Sequence, residues 1–421
     1  MTTAILLGVL LMLFALNTPI MIAVGTAAFA ALLIKGGINP MVAIQRIYAG
    51  ADSFPLLAVP LFLVAGQFMS AGGISRRIVR LADTLVGHLP GGLAIVSVVS
   101  AMFFAGVSGS AAADTAAVGS ILIPSMVARG YSAPFAGAVQ AAAGSIGIII
   151  PPSIPMIVFG SITGASIGQL FAAGILPGFL MGLSLSLYCI YHGIAEKKAA
   201  QKNHNPTNNK PFNPSAILPA MRDALWSLGA PIIILGGILS GIFTATESAG
   251  IAVIYAFCIG HFAHKELQLK AIPSLLLEAG VTSGVIMSII AVAALFGWLM
   301  AIERIPAMLA QGLITMGGSG WTLLLLVNLL LLVVGTLLET TAALILITPI
   351  LLPLLPQLGI SLTHLGIIIV MNLAIGMLTP PMGVCLMVSS GIARVPLATM
   401  ARAVLPFLVV LLIDLMIVCF V

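Results

Sequence analysis

Charge is what this sequence has least of. Asp, Glu, Lys and Arg make up 6% of its 421 residues, against roughly 25% in a soluble domain, so the chain cannot cover a water-facing surface. Cysteine is sparse as well. The four, at 189, 258, 385 and 419, stand singly in apolar runs without the spacing of a disulfide framework or zinc site, and read as small core residues. There is no GxxxxGK[ST] loop and no HExxH motif, so ATP-driven pumping by this chain alone is not expected. Nor does any His or Lys stand out as the base that a membrane serine protease would need. An enzyme is therefore not expected, and nothing marks a nucleic-acid partner.

What remains is hydrophobic: 61% of the residues, with a mean hydropathy of +1.23. Apolar runs, mostly of about 15–25 residues, suit spanning helices and lack the alternation of barrel strands. The expected fold is an all-α polytopic membrane protein with about 11–13 segments in the lipid bilayer. The first run, "TTAILLGVLLMLFALNTPIMIAVG", lacks a basic n-region and a small-residue cleavage site, and reads as a spanning helix rather than a removed signal. The one hydrophilic stretch, roughly 196–222, carries Lys197, Lys198, Lys202, Lys210 and Arg222. The positive-inside rule makes it a cytoplasmic linker between two halves, 1–195 and 223–421.

The halves share punctuation. A Pro-Pro pair interrupts an apolar run in "SIGIIIPPSIP" (145–155) and again in "AIGMLTPPMGV" (374–384). Proline costs a helix interior about 3 kcal/mol, so both runs are expected to break. Gly130, Ser132, Gly137, Ile146, Gly147, Pro151, Pro152, Leu176 and Pro177 recur 229 positions later as Gly359, Ser361, Gly366, Ile375, Gly376, Pro380, Pro381, Leu405 and Pro406. With one short insertion the repeat extends upstream: "SAAADTAAVGSILIP" (110–124) answers "TLLETTAALILITP" (336–349), pairing Asp114 with Glu339 and Pro124 with Pro349. Further up, "AGQFMSAGGI" (65–74) answers "FGWLMAIERI" (296–305). The helix that follows residue 73 sets Ile74, Ile78, Leu81 and Leu85 on one face, which suits a position along the interface.

Matched Gly/Pro breaks in two halves point to a transporter site built from discontinuous helices. Unwound carbonyls there can coordinate Na+, and half-helix N-termini favour an anion. The alternative is that each Pro-Pro only kinks or ends a helix. Upstream of each break lies a polar segment, "GVSGSAAADTAAVGS" (106–120) and "GTLLETTAALILITP" (335–349), whose short apolar stretch ends at a proline and suits a re-entrant hairpin. Its Ser, Thr and Gly residues offer oxygen ligands. Asp114 and Glu339 sit where a lone charge costs at least ~2.5–3.5 kcal/mol, so both are site candidates, with helix capping as the alternative. In "GIFTATESAG" (241–250), Thr246 before Glu247 reads as a helix cap. Asp52, Glu303 and Asp414 are expected near segment ends, Glu303 beside Arg304 as a local pair. His261 and His264 lack further metal ligands.

Taken together, "FFAGVSGSAAADTAAVGSILIP", "GSIGIIIPPSIPMIVFG", "GIFTATESAG", "GTLLETTAALILITPILLP" and "GMLTPPMGV" resemble the large membrane subunit of tripartite ATP-independent periplasmic (TRAP) transporters over essentially the whole chain. The resemblance implies an elevator-type secondary transporter of the bacterial inner membrane with inverted-topology repeats. It implies that Na+ drives uptake of an organic acid, of the sialic acid or C4-dicarboxylate class. A periplasmic substrate-binding protein and a small membrane subunit, each a separate chain, would be partners; a stand-alone Na+/dicarboxylate symporter is the alternative. Scaffold or arm helices would occupy 1–92 and 223–320, hairpins and broken helices 93–175 and 321–395, and a terminal helix 396–421.

Carried onto this chain, the Na+ ligands would come from Ser108, Ser110, Asp114, Gly147 and Pro151 in the first half. The second half would supply Gly335, Thr336, Thr340, Gly376, Thr379 and Pro380. Ser108, Ser153 and Glu339 would lie near the substrate. Two departures stand out: the family often has Asp-Pro where this chain has Glu339–Thr340, and Ser153 matches Met382 in the repeat, which implies an asymmetric site.

Overall fold

The computed structural model describes residues 2–16, 18–202, 213–317, 320–380 and 383–420. Pro381 and Met382, and 203–212 of the expected linker, lie outside these. The described residues form α-helices joined by short turns, without strands. The first half contains α1 (Thr2–Ala15), α2 (Ile20–Lys35), α3 (Pro40–Ala51), α4 (Ala58–Ala71), α5 (Ile74–Val86), α6 (Gly92–Ser108), α7 (Ala111–Ala128), α8 (Ala133–Ser145), α9 (Ile154–Thr163) and α10 (Ile167–Lys202). The second contains α11 (Ile217–Leu239), α12 (Ala245–Cys258), α13 (Ile272–Ile302), α14 (Ile305–Gly317), α15 (Trp321–Leu337), α16 (Thr340–Leu351), α17 (Leu355–Leu358), α18 (Leu362–Gly376), α19 (Val384–Ala393) and α20 (Leu397–Phe420).

Among the described residues, eight helical stretches are long and apolar enough to cross a membrane, fewer than the 11–13 segments expected. Part of the difference comes from the breaks, because α8 with α9 and α18 with α19 are each divided into pieces of 10–15 residues; the rest lies in shorter apolar helices such as α1, α2, α6 and α15. The expectation that the hairpin helices end at their prolines is corrected. α7 runs through Pro124 and α16 through Pro349, as spanning helices tolerate proline when neighbours satisfy the freed backbone.

Local conformations on the two sides of the chain run in parallel. Ser132 caps α8 by accepting from Phe135 N (3.4 Å), and Ser361 caps α18 by accepting from His364 N (3.1 Å). Gly73 before α5 and Arg304 before α14 both take the left-handed conformation, φ 75° and 56°.

The halves interleave. α4 packs on α12 and α13, α2 and α3 pack on α13, and α5 packs on α11. Around α8 gather α6, α7, α19 and α20. In a bilayer, helix association gains little from apolar burial and depends on close packing of small residues. α8, "APFAGAVQAAAGS", is buried from Ala136 to Ser145. A Cβ added at Gly144 would fall 2.0 Å from the Thr115 hydroxyl of α7.

α5 buries Ile74, Ile78 and Leu81, the last against Ala220 and Ala224 of α11. Its polar side carries an ion-pair network. Arg77 Nη1 donates to Glu266 Oε1 (2.7 Å) and its Nε lies 3.3 Å from Asp223 Oδ1, while Arg80 Nη1 donates to Asp223 Oδ2 (3.0 Å). Three capping or pairing expectations are corrected. Thr244, not Thr246, caps α12 in a capping box with Glu247, because the T-x-x-E spacing places the cap three residues before the acid. Glu303 pairs with Lys35 and accepts from the Thr3 hydroxyl (3.2 Å) rather than pairing with Arg304; the hydrogen bond from Lys35 holds its carboxyl below the usual glutamate range. Asp414 lies inside α20, where it accepts from the Ser184 hydroxyl of α10.

Among the described residues, Arg77 is the only side chain that pairs with both Asp223 and Glu266. Arg77→Ala is expected to cost about 1–2 kcal/mol, the worth of charged hydrogen bonds in a half-exposed setting, and to lower the thermal unfolding midpoint of the purified protein. An unchanged midpoint would show that α5 is held by its apolar face alone.

Candidate functional site

The two polar hairpin tips come together on one cavity of about 770 Å³. Gly109, Ser110 and Ala111 form its wall from the first half, and Glu339, Thr340 and Thr341 from the second. Ile154 and Pro155 from the start of α9 and Val384 from the start of α19 complete that side, and α13 closes the other through Val281–Ile289 residues such as Thr282 and Ser288. Five helices, α2 (through Pro19–Ile22), α7, α9, α16 and α19, therefore begin at this cavity. Each N-terminus presents unpaired amides and about half a positive charge, so the wall suits an anion without a basic side chain in it.

Side chains cap three of these starts. Ser110 accepts from Ala113 N (3.5 Å) and Ser153 from Met156 N (3.3 Å). The Glu339 carboxylate accepts from Thr341 N (2.9 Å) and Ala342 N (3.2 Å). Ser153 also donates to Ile148 O (2.6 Å) across the break and is fully buried, so it fixes the start of α9 from behind the cavity wall. Ser110 and Glu339 thus both cap a helix start and line the cavity.

Behind the first tip lies its acid. Asp114 is completely buried, accepts from the Ser108 hydroxyl at Oδ1, and has no hydrogen-bond partner for Oδ2 among the described residues. That oxygen faces Gly147, where an added Cβ would lie 2.0 Å away. The unwound turn 146–153 thus presses its backbone against the carboxylate, with Pro151 and Pro152 buried beside it. The tip itself touches the break: Ile154 N donates to Gly109 O (3.4 Å), and Gly109, at φ 63°, has no room for a Cβ against Pro152 O. The second half repeats the contact with Gly335 and Gly376, where a Cβ on Gly376 would meet Gly335 backbone atoms at 2.6–2.8 Å.

The remaining candidates are placed as follows. Thr340 is buried with its hydroxyl unpartnered. Thr336 and Thr379 bond back to their own helices, to Val333 O (2.7 Å) and Ile375 O (3.0 Å), and with Pro380 line neither this cavity nor the smaller one beside Ser108. That smaller cavity, about 340 Å³, shares Ser110 and Leu63 with the larger. No group of three or more His, Cys, Asp or Glu side chains gathers among the described residues; the donors around Asp114 are oxygens of carboxylate, hydroxyl and backbone, which are hard ligands.

Sequence reasoning passed over Gln140, whose amide donates to Asp114 O (3.4 Å) while its oxygen accepts from Ser97. It also passed over the Asn328–Asn372 pair (2.7 Å) joining α15 to α18. A single amide in an otherwise apolar helix was the available signal for each. Gly147→Ala is expected to lower the unfolding midpoint sharply, since the methyl overlaps the Asp114 carboxylate, whereas Gly250→Ala meets nothing within 4 Å and should leave it unchanged or slightly raised. Equal midpoints for the two variants would mean that the break is not pressed against Asp114.

Comparison with known proteins agrees with this architecture. Residues 7–421 match the family described as the tripartite ATP-independent periplasmic transporter, DctM component. The chain is 41% identical, over 99% of its length, to the isethionate TRAP transporter permease protein DctMQ of Oleidesulfovibrio alaskensis, of which it spans 65%. It is 38% identical to the C4-dicarboxylate TRAP transporter large permease protein DctM of Pseudomonas aeruginosa, with 89% of this chain and 86% of that one covered. Identity is also 38% to the sialic acid large permease SiaM of Vibrio cholerae, covering 92% and 88% of the two chains. In fold alone it is similar to the crystal structure of the Alcanivorax borkumensis YdaH transporter, with a TM-score of 0.51, 16% identity, and 90% and 86% of the chains covered. This multi-pass membrane protein belongs to the DctM family of TRAP transporter large permeases.

Proposed function

We propose that the chain is the large subunit of a Na+-driven importer of an organic acid, of the sialic acid or C4-dicarboxylate class, in the bacterial inner membrane. A small membrane subunit completes it, and a periplasmic binding protein delivers the substrate. The acids in the relatives' names, isethionate, C4-dicarboxylate and sialic acid, support an organic anion as cargo.

The observation that carries the reading is the orphaned Oδ2 of Asp114 against Gly147. Removing one ionised carboxylate from water without a counter-charge costs several kcal/mol. Na+ held by Asp114, the Ser108 and Ser110 hydroxyls and the Gly147–Pro151 backbone would offset that cost. The second half would hold Na+ through the backbone of Gly335, Gly376 and Pro380 with Thr336, Thr340 and Thr379. The substrate carboxylate would sit between the helix starts near Ser108 and Glu339, with Ser153 positioning α9. The α6–α9 and α15–α19 units would be inverted repeats that move together against α1–α5 and α11–α14, as an elevator requires. The interleaved packing of the halves supports this division.

The test is uptake into proteoliposomes containing this chain and its small subunit, with an inward Na+ gradient and with or without the binding protein. Accumulation should need both. Asp114→Asn should reduce the rate at least ~10-fold, as loss of a charged ligand in low dielectric implies, and should raise the Na+ concentration for half-maximal uptake. Uptake with Na+ but without the binding protein would favour a stand-alone symporter. Equilibration indifferent to Na+ would overturn coupling.

A further inference from the structure

Several acids in this protein have basic or capping partners: Glu266 and Asp223 meet Arg77, Glu303 meets Lys35, and Glu247 joins its capping box. Glu278 differs. It lies two turns into α13, within a 34-residue apolar stretch, and forms no ion pair among the described residues. Its side is not lipid-facing alone, because it lines the 340 Å³ cavity beside the first hairpin tip. The other polar members of that wall are Gln67 and Ser70 from α4 and Ser108 and Ser110 from the tip. An acid kept within a spanning helix marks a functional position rather than a packing one.

This cavity differs from its larger neighbour. Five helix N-termini face the 770 Å³ cavity and favour an anion, with the Glu339 carboxylate at one of them, whereas the smaller one holds a carboxylate, two hydroxyls of the tip, a third hydroxyl and an amide without that ring of helix starts. Lined otherwise by apolar residues, it focuses the field of Glu278 and raises the local concentration of cations. Hard oxygen donors of this kind suit Na+. The tip is held against this wall: a Cβ at Gly66 of α4 would come within 3.6 Å of Ser108 Cα. Ser108 in turn donates to Asp114, so the cavity adjoins the proposed Na+ ligands on the side of α4 and α13.

We propose that Glu278, with Gln67 and Ser70, forms a further Na+ site, a vestibule on the α4–α13 side of the first hairpin that is distinct from the ligands at Asp114. It rests on the Na+-coupled reading. The vestibule stages the cation before it reaches the tip, and its negative charge keeps the organic acid in the larger cavity.

The experiment is equilibrium binding of radiolabelled Na+ to the purified complex of this chain with its small subunit. Glu278→Gln, close in shape to the native side chain, should bind about one Na+ fewer per chain at a concentration that just fills the wild-type sites, with the unfolding midpoint unchanged. Ser70→Ala, at an exposed position, should weaken the same component. Asp114→Asn should remove a different component, and the double variant with Glu278→Gln should lose both. Full wild-type binding in Glu278→Gln and Ser70→Ala, alongside a deficit in Asp114→Asn, would overturn the vestibule and leave Na+ coupling standing. Absence of Na+ binding by the wild-type complex would overturn both.

Discussion

The site depends on backbone meeting backbone with no side chain between. Gly335 against Gly376, and Gly109 against Pro152, bring each hairpin tip into direct contact with the unwound part of the helix behind it. These contacts expose carbonyls and amides that a bilayer would otherwise require to be internally bonded. Irregular backbone survives here because it is enclosed by protein: in the first half, Ile146–Ser153 is almost wholly buried. The geometry that endangers the fold is thus the geometry that creates ligands.

From that constraint the remaining architecture follows. Two unwound stretches need two walls of helices around them, and the chain supplies these by interleaving, so that α8 lies among α6, α7, α19 and α20. The helix starts freed by the breaks then converge on one cavity. A carboxylate at one of them, Glu339, satisfies two amides of α16. Its charge also reduces the anion-attracting field at that start, leaving α2, α7, α9 and α19 as the stronger positive ends. The cavity is therefore electrically uneven although no basic side chain among the described residues lines it.

Much of this was legible in the sequence because proline and glycine act locally. The Pro-Pro pairs and the glycines at 147 and 376 announced where the backbone would open, and the Ile74–Leu85 stripe announced α5. The halves' pairing of Asp114 with Glu339 was legible as position but not as role. One acid is buried with an open oxygen, and the other caps a helix at the cavity's edge. That difference is set by which neighbours reach each carboxylate in three dimensions. Pro124 and Pro349 misled for the same reason, since surrounding helices decide whether a proline ends a helix. Glu278 gave little signal because one acid in a long apolar run reads equally as a segment end. Its partners, Gln67 and Ser70, are some two hundred residues away.

α13 faces the larger cavity with Gly284 beside Thr282 and Ser288, and a Cβ added at Gly280 or Gly284 would meet nothing within 4 Å. Helices usually lock by setting ridges of side chains into grooves, which fixes their register in steps of a turn. A face with glycine in place of a ridge has few teeth to engage. Whatever lies against this part of α13 finds a smooth rail, along which neighbouring positions differ little in packing energy and no single one is a trap.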